Sequence, residues 1–391
     1  MNESIVIVSA ARTPLGAFQG KLAALSASDL GAVAIRSAVE RAGLASDQVD
    51  QVLFGNCLMA GQGQAPARQA ALKAGLPPSC GAVTLSRMCG SGMQALIFAH
   101  DSLMAGTYDV VVAGGMESMS NAPHLLPRNR SVHDTAAIVD HMMRDGLEDA
   151  YQPGQHMGRL AEECAAHYRF SREAQDAYAL ASVQRAQAAV RGGSFAFELA
   201  PVTVQAADGE HVVDSDEPPL KAKVEKIPLL KPVFKEGGTI TAASSSKLAD
   251  GAAALVVMRE STARELGCTP LAKILAHASH AQAPQWFTTA PIGAIAKLYR
   301  KTGWSTGDVD LFEINEAFAA VPMAAMREHA IPHEKVNVHG GACALGHPLG
   351  ASGARIIVTL LGALRKTGGR RGITAICIGG GEATAIALER I

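Results

Sequence analysis

Apolar residues recur along the chain in two alternating patterns, short β-like runs and longer helical stretches. A helical stretch from Leu30 ends near Gly43, and a β-like run follows it up to Phe54. The same order returns from Ile292, with a helical stretch up to Gly303 and then another β-like run. Apolar β runs that alternate with helices are typical of sheets covered by helices on both faces, so the pattern predicts an α/β fold.

These two stretches indicate an internal duplication. The glycines that end the two helical stretches are 260 positions apart, and so are Asp50 and Asp310. Further along, Ser91 and Ser352 begin apolar helical runs at an offset of 261. Because several matches keep the same order at a nearly constant offset, the chain is predicted to contain two related α/β halves.

The first half is interrupted by a long insertion. Its last β run begins only near Asp250, so that about 125 residues separate it from the rest of the half. The insertion contains an amphipathic helix candidate from Arg172 to Arg191, and a structureless loop of this length is improbable. The predicted domains are an N-terminal half (1–119 with 246–268), an inserted loop domain (120–245) and a C-terminal half (269–391).

Composition narrows the classes of function. A formal net charge of −1 argues against nucleic acid as the partner, and no apolar run approaches the length of a membrane span. The N-terminal stretch reads as a first strand and not as a signal peptide. The seven cysteines are widely spaced and odd in number, so neither a disulfide framework nor a zinc site is predicted, and a reducing, cytoplasmic setting fits best. Walker, dinucleotide-binding and His-Glu-x-x-His motifs do not occur in the sequence.

Cys89 is the first candidate for chemistry. It lies between a β-like stretch and an apolar helical run, in Met88-Cys-Gly-Ser-Gly. Unpaired N–H groups and the dipole at a helix start favour a thiolate, and the flanking glycines allow another backbone or a ligand to approach closely. The alternative interpretation is a buried cysteine at a tight turn.

His347 is the second candidate, in the glycine-rich loop His339-Gly-Gly-Ala-Cys-Ala-Leu-Gly-His-Pro. The loop leads into the helix that begins near Ser352, so the duplication brings it opposite the Cys89 turn. A nucleophile and a base from the two halves is the arrangement that cysteine catalysis requires. A histidine that only caps backbone groups is the alternative.

Cys377 and Asn315 each follow or end an apolar β run in the C-terminal half. Cys377, judged from its own stretch of sequence, reads as a core residue. Asn315 could orient a water or donate to an oxyanion, and it could equally cap the next helix.

Together these stretches resemble the thiolase family over almost the whole chain. Each motif is moderately specific, and all of them in this order are very specific. They are Ser9-Ala-Ala-Arg-Thr-Pro, Cys89-Gly-Ser-Gly, Gly114-Gly-Met-Glu-Ser-Met-Ser, His156-Met-Gly, Asn315-Glu-Ala-Phe, Gly346-His-Pro-Leu-Gly-Ala-Ser-Gly and Cys377-Ile-Gly-Gly-Gly. The resemblance implies a five-layered αβαβα fold of two duplicated halves with an inserted loop domain, and a homotetramer built as a dimer of dimers.

The resemblance also implies roles for these residues. Cys89 is expected to take the acyl group from acyl-CoA, with His347 as its base, and Cys377 to move the α-proton of a second acetyl-CoA. Oxyanion holes are expected from His347 with a water on Asn315, and from the N–H groups of Cys89 and Gly379. The implied reaction joins two acetyl-CoA into acetoacetyl-CoA and CoA, or the reverse, without metal or redox cofactor.

The resemblance implies a coenzyme A site as well. Family contact positions match Leu147, His156, Phe234, Ser246 and Phe318. Lys221 stands where many relatives have an arginine near the adenine, and Met157 and Phe287 are expected to wall the acyl end. Alternatives are a thiolase with a broader 3-ketoacyl-CoA range, a ketoacyl-carrier-protein synthase and a non-catalytic acyl-CoA carrier. The second cysteine and the intact set of candidate catalytic residues argue against the last two.

Overall fold

The structure, a computed structural model, describes residues 3–131, 133–206 and 209–391. Its strands are β1 (Ile5–Arg12), β2 (Gly16–Ala17), β3 (Gln51–Gly55), β4 (Gly81–Leu85), β5 (Val110–Ser118), β6 (His124–Leu125), β7 (Val139–Asp140), β8 (Val202–Ala206), β9 (Gly209–Val213), β10 (Ala249–Arg259), β11 (Ala272–Ala281), β12 (Leu311–Ile314), β13 (Arg371–Ile378) and β14 (Glu382–Arg390). Its α-helices are α1 (Ala27–Ala42), α2 (Pro66–Lys73), α3 (Ser91–Met104), α4 (Met157–His167), α5 (Arg172–Arg191), α6 (Glu217–Lys221), α7 (Glu260–Glu265), α8 (Ala290–Thr302), α9 (Ala320–His329), α10 (Ala342–Leu345) and α11 (Leu349–Thr367).

The strands confirm the predicted pair of related halves. The large sheet has the order β12-β13-β14-β11-β1-β10-β5-β3-β4, with β2 beside β10. β1 and β11 share only the pairs Val6 with Lys273 and Ile7 with Ala272, so two sub-sheets meet there. In one sub-sheet β3 is parallel to β5, which is antiparallel to β10. In the other, β12 is parallel to β13, which is antiparallel to β14.

The helices form three layers around the two sub-sheets. α3 and α11 lie in the middle and contact both, α1 and α2 cover the N-terminal sub-sheet, and α8 covers the C-terminal one. The two middle helices approach closely because Gly92 and Gly353 lie at their crossing. A Cβ on Gly353 would lie 2.4 Å from the Met93 nitrogen, and one on Gly92 would lie 2.8 Å from the Ala354 nitrogen. The result is the predicted αβαβα order of layers.

The residues that are repeated in the two halves have the same structural role in both. Gly43 ends α1 with φ of +71°, and Gly303 ends α8 with φ of +72°, the left-handed conformation that glycine adopts without strain. The Asp50 carboxylate accepts from the N–H groups of residues 109 and 110, at 2.8 and 2.9 Å. The Asp310 carboxylate accepts from those of residues 370 and 371, at 2.7 and 2.8 Å.

The segment between β5 and β10 has its own contacts. The helix predicted from Arg172 to Arg191 is α5. The Glu162 carboxylate of α4 accepts from the backbone of Thr239 and Ile240, which ties α4 to the last part of this segment. β10 then pairs with both β1 and β5. The predicted boundaries of the insertion, 120 and 245, stay a prediction.

All seven cysteines are free thiols. Across the parts of the chain that the structure describes, no helix is both long and apolar enough to span a bilayer.

Candidate active site

One cavity of about 810 Å³ gathers most of the predicted site residues. It is lined from three parts of the chain: the turn before α3, the insertion and the C-terminal half. Ten of the thirteen predicted residues line it: Cys89, Leu147, His156, Met157, Phe234, Ser246, Phe287, Phe318, His347 and Gly379.

Cys377 and Asn315 do not line this cavity and are almost fully buried beside it, each about 1% exposed. Cys377 lies near the end of β13, and Asn315 directly follows the adjacent parallel strand β12. Burial, and then the proximity of Cys89, raises the pKa of Cys377 well above its usual value. Gly90 permits this approach, because a Cβ there would lie 2.3 Å from the Ile378 side chain.

Lys221 also does not line the cavity. Its Nζ lies 2.6 Å from the Glu217 carboxylate, one helical turn earlier in α6, and its side chain is mostly exposed. This geometry gives no support to a contact between Lys221 and a ligand in the cavity.

The backbone around Cys89 is held in an unusual conformation. Met88 has a φ of +46°, a backbone conformation that is costly for any residue other than glycine and is often found at functional sites. Ser91, the first residue of α3, holds the turn: its hydroxyl donates to the Met88 carbonyl at 2.6 Å and accepts from the Arg87 N–H at 2.8 Å. Cys89 is thereby fixed between the strand end and the helix.

The Cys89 thiol is protonated at rest, contrary to the expectation that the helix start favours a thiolate. Burial raises its pKa to about 11, although the N–H groups of Cys89 and Gly379 lower it. The nearby Glu117 charge raises it further. Because desolvation outweighs the backbone donors, Cys89 needs a base when it reacts.

His347 lines the same cavity and has a nitrogen without a partner among the described residues. Its Nδ1 lies 2.6 Å from the Ser352 hydroxyl, which lies 2.8 Å from the Pro348 carbonyl. A carbonyl only accepts, so the single hydroxyl proton of Ser352 goes to Pro348, and Nδ1 carries the imidazole proton. Nε2 therefore has a free lone pair, and it has no partner among the described residues. Burial, and then Arg355, lowers the pKa of His347 to about 3, so the ring is neutral.

Asn315 retains its full capacity for hydrogen bonding. Its backbone N–H donates to the Ala375 carbonyl at 2.9 Å, which fixes the residue against β13. Both polar atoms of its side chain are buried and have no partner in the parts of the protein that the structure describes. Buried polar atoms without partners are rare in proteins and mark sites where a ligand or water binds.

Glu117 joins the two halves beneath the site. It lies near the end of β5, fully buried, and its two carboxylate oxygens accept four hydrogen bonds of 2.6 to 3.1 Å. The donors are the Asn56 amide and the N–H groups of Cys57, Leu58 and Gly350. Because Gly350 lies in the first turn of α11, this carboxylate fixes the His347 loop relative to the N-terminal half. The sequence interpretation did not single out Glu117, although it lies inside a recognised motif.

Aromatic side chains form one wall of the cavity. The His156 ring stacks on Phe234 with centroids 4.7 Å apart, and Phe234 meets Phe318 edge to face at 5.7 Å. Phe287 meets Phe318 at 6.4 Å. Such a wall suits the apolar parts of a ligand. The sequence interpretation did not identify several other residues that line the cavity, among them Arg144, Tyr151, Val233 and Lys247.

One cluster in the described ranges has the composition of a metal site, but it lies elsewhere. His100 and Asp101 in α3 and His277 in β11 have donor atoms within 4.8 Å of one another. None of the three lines the cavity. One nitrogen of each imidazole already lies within 3.0 Å of the same Asp101 oxygen.

Known proteins are similar to the chain over its full length. Family models match residues 5–261 (thiolase, N-terminal domain) and 268–390 (thiolase, C-terminal domain). An acetyl-CoA acetyltransferase of Thiocystis violacea is 46% identical over 395 residues, which cover 100% of both chains. Acetyl-CoA acetyltransferase 1 of Arabidopsis thaliana is 48% identical, over 98% of this chain and 94% of the relative.

A solved structure agrees with these sequence matches. The crystal structure of Acat5 thiolase from Ascaris suum in complex with coenzyme A superposes with a TM-score of 0.94 at 41% identity, and 100% of each chain is covered. With the fold, the order of motifs and both family models in agreement, the chain belongs to the thiolase family.

Proposed function

We propose that the protein is an acetyl-CoA C-acetyltransferase that condenses two acetyl-CoA into acetoacetyl-CoA and CoA, and catalyses the reverse. The observation that carries the proposal is that a protonated Cys89 thiol and a neutral His347 line the same cavity, and that His347 Nε2 has no partner among the described residues. The names of the full-length relatives support the choice of substrate.

The first half-reaction loads the acetyl group. His347 Nε2 takes the Cys89 proton as the sulfur attacks the thioester carbonyl, and the N–H groups of Cys89 and Gly379 donate to the oxygen that becomes negative. The bond to the CoA sulfur breaks, and the Cys377 thiol gives that sulfur its proton. The products are CoA, acetyl-Cys89, an imidazolium and a Cys377 thiolate. The raised pKa of Cys377 supports this role, because its resting form carries a proton.

The second half-reaction forms the carbon–carbon bond. The Cys377 thiolate takes an α-proton from a second acetyl-CoA, and the imidazolium of His347 donates to the enolate oxygen together with a water held by Asn315. The enolate carbon attacks acetyl-Cys89, acetoacetyl-CoA leaves, and the Cys89 sulfur takes its proton back from His347. All groups regain their resting protonation, so the cycle needs no metal or redox cofactor.

Assembly and location are part of the same proposal. β4 ends the sheet order, and its Val83 side chain is exposed, as is that of Phe98 in the following helix α3. These features support pairing of two copies along β4, and the family resemblance supports a dimer of such dimers in the cytoplasm. Light scattering of the purified protein should give about four times the 40.5 kDa chain mass; a monomeric mass would contradict the assembly.

Acetyl labelling tests the chemistry. Mass spectrometry after incubation with acetyl-CoA should find one added acetyl group, on the peptide that contains Cys89, and Cys89→Ala should lose both the label and turnover. A label on another peptide would overturn the assignment, and an unlabelled but CoA-binding wild type would favour a carrier.

Substrate range is tested by thiolysis rates. Acetoacetyl-CoA should give the highest specificity constant, because Met157 and Phe287 wall the acyl end. An apolar pocket distinguishes one methylene by only about 1–3 kcal/mol, so some activity on longer chains is expected. A higher specificity constant for a six-carbon or longer 3-oxoacyl-CoA would instead indicate a broad-range thiolase.

A further inference from the structure

Lys247 is a cation on the cavity wall that the proposed reaction does not use. Its main chain supports the catalytic loop: its carbonyl accepts from the His347 N–H at 2.9 Å, and its N–H donates to the Ala342 carbonyl at 3.2 Å. Its side chain extends to Ala242, whose carbonyl accepts from Nζ. Ala242 is exposed and lines the same cavity, so the ammonium lies on the solvent-facing part of the wall.

This ammonium has no counter-ion among the residues that the structure describes. The Glu316 carboxylate opposes the effect of burial, which lowers the pKa of Lys247, but its hydrogen-bonding capacity is already used by other groups. Four donors share the Glu316 carboxylate: the hydroxyls of Tyr178 and Ser182, the amide of Asn337 and the N–H of Cys343. Arg144, another cation on the cavity wall, is paired with Glu148 at 3.0 Å. Lys247 is therefore available to an anion that enters with the ligand.

Burial makes this charge costly without such a ligand. Desolvation lowers the pKa of Lys247, while Cys343 and Glu316 act in the opposite direction. A partly desolvated ammonium is stabilised by a phosphate or carboxylate that supplies a charge-assisted hydrogen bond. The position of Nζ at the open side of the cavity indicates which part of an acyl-CoA can supply it.

We propose that Lys247 binds a phosphate group of the substrate's coenzyme A. This inference rests on the proposed function. The acetyl and pantetheine parts of acetyl-CoA are neutral, and its negative charges lie in the nucleotide part, at the pyrophosphate and the 3′-phosphate. Since the thioester must reach Cys89 inside the cavity, the nucleotide lies toward the opening, where Lys247 meets it. Lys221, which the sequence interpretation expected near the adenine, does not line this cavity.

The test compares ligands with and without phosphates. Calorimetric titration with CoA, 3′-dephospho-CoA and pantetheine is carried out on the wild type, Lys247→Met and Lys247→Arg. Lys226→Met is the matched control, because Lys226 is an exposed lysine of the insertion that does not line the cavity. Lys247→Met should weaken CoA binding by about tenfold to a hundredfold, the effect of one hydrogen bond to a charged group. Lys247→Arg should retain most of the affinity, and pantetheine should bind all four proteins equally.

The ligand series also identifies the phosphate. If Lys247→Met loses affinity for CoA but not for 3′-dephospho-CoA, relative to wild type, the partner is the 3′-phosphate. If it loses affinity for both, the partner is the pyrophosphate. Unchanged CoA binding in Lys247→Met, or an equal loss with pantetheine, would overturn the inference. Acetylation of wild-type Cys89 by acetyl-CoA is scored separately, so a failure of the proposed function is distinguishable from a failure at Lys247.

Discussion

The two halves place an asparagine at the same point, directly after β3 and after β12, and use it differently. Asn56 donates to the Glu117 carboxylate at 2.6 Å and so helps to join the halves. Asn315 has a side chain without a partner in the described protein, next to the strand that carries Cys377. One copy of the duplicated position thus supports the framework, and the other remains available for a ligand.

The two middle helices show the same division. Ser91 at the start of α3 donates to Met88 and orders the turn that presents the nucleophile. Ser352 in α11 donates to Pro348 and thereby fixes the tautomer of the base. The two halves thus share a helix start that is fixed by a serine. In the N-terminal half this helix start orients a thiol, and in the C-terminal half it orients an imidazole.

The largest expected effect separates Cys377 from Cys89. Cys377→Ala should still be acetylated, yet lose condensation and exchange of the acetyl-CoA methyl protons by about 10² to 10⁴. The measurement is deuterium incorporation from heavy water beside acetyl labelling, on folded protein. A residue that only fills the core would leave a small cavity costing under about 2 kcal/mol and would affect all steps alike. Exchange at the wild-type rate would show that Cys377 is not the base.

The next test removes the side chain of each asparagine in turn. Asn315→Ala should lower condensation by about 10² to 10³, as expected for a donor to a developing oxyanion, with little change in stability. Asn56→Ala should instead cost about 1.5–3 kcal/mol of unfolding free energy, because it removes a hydrogen bond to a buried carboxylate. Urea unfolding and steady-state rates on both variants distinguish the two patterns. Equal effects of both variants on rate and on stability would show that the two asparagines do not differ in role.

A smaller effect is expected at Ser352. Ser352→Ala leaves the Nδ1 proton of His347 without an acceptor, so the tautomer that blocks Nε2 becomes populated. The rate of Cys89 acetylation should fall about tenfold, and Ser352→Thr, which keeps the hydroxyl, should recover most of it. Single-turnover acetylation at several pH values measures this. A loss that Thr does not rescue would indicate a packing role only.

The smallest expected effect concerns pH. Because the folded-state pKa of His347 lies near 3, its protonation should give acetylation no acid limb near pH 6.5. The depressed pKa contributes stability above the unfolded value of about 6.5, and this stability is lost as pH falls toward the folded pKa. For Cys89, alkylation by iodoacetamide should still rise with pH above about 9, toward the raised pKa. A plateau in alkylation near pH 7 would show instead that Cys89 is a resting thiolate.

The sequence predicted the framework because its signals are local. Glycines that end helices and apolar runs of helical or β period act within a few residues of themselves. Repeated at an offset of 260, they were enough to indicate two related halves. The motifs around Cys89 and His347 also predicted correctly that both residues line one cavity.

The chemistry of the site depended on contacts between distant segments, which local patterns do not contain. Desolvation by the surrounding layers overrode the helix start and kept Cys89 protonated, and Lys221 pairs with Glu217 and does not line the cavity. The hydrogen-bond and ion-pair partners of a side chain decide whether it only stabilises the fold or can still bind a ligand. By itself the sequence determined the fold, the family and the position of the candidate nucleophile. Only the tertiary structure decided the protonation of Cys89 and His347 and which cation lines the cavity without a counter-ion among the described residues, because burial and pairing arise from packing.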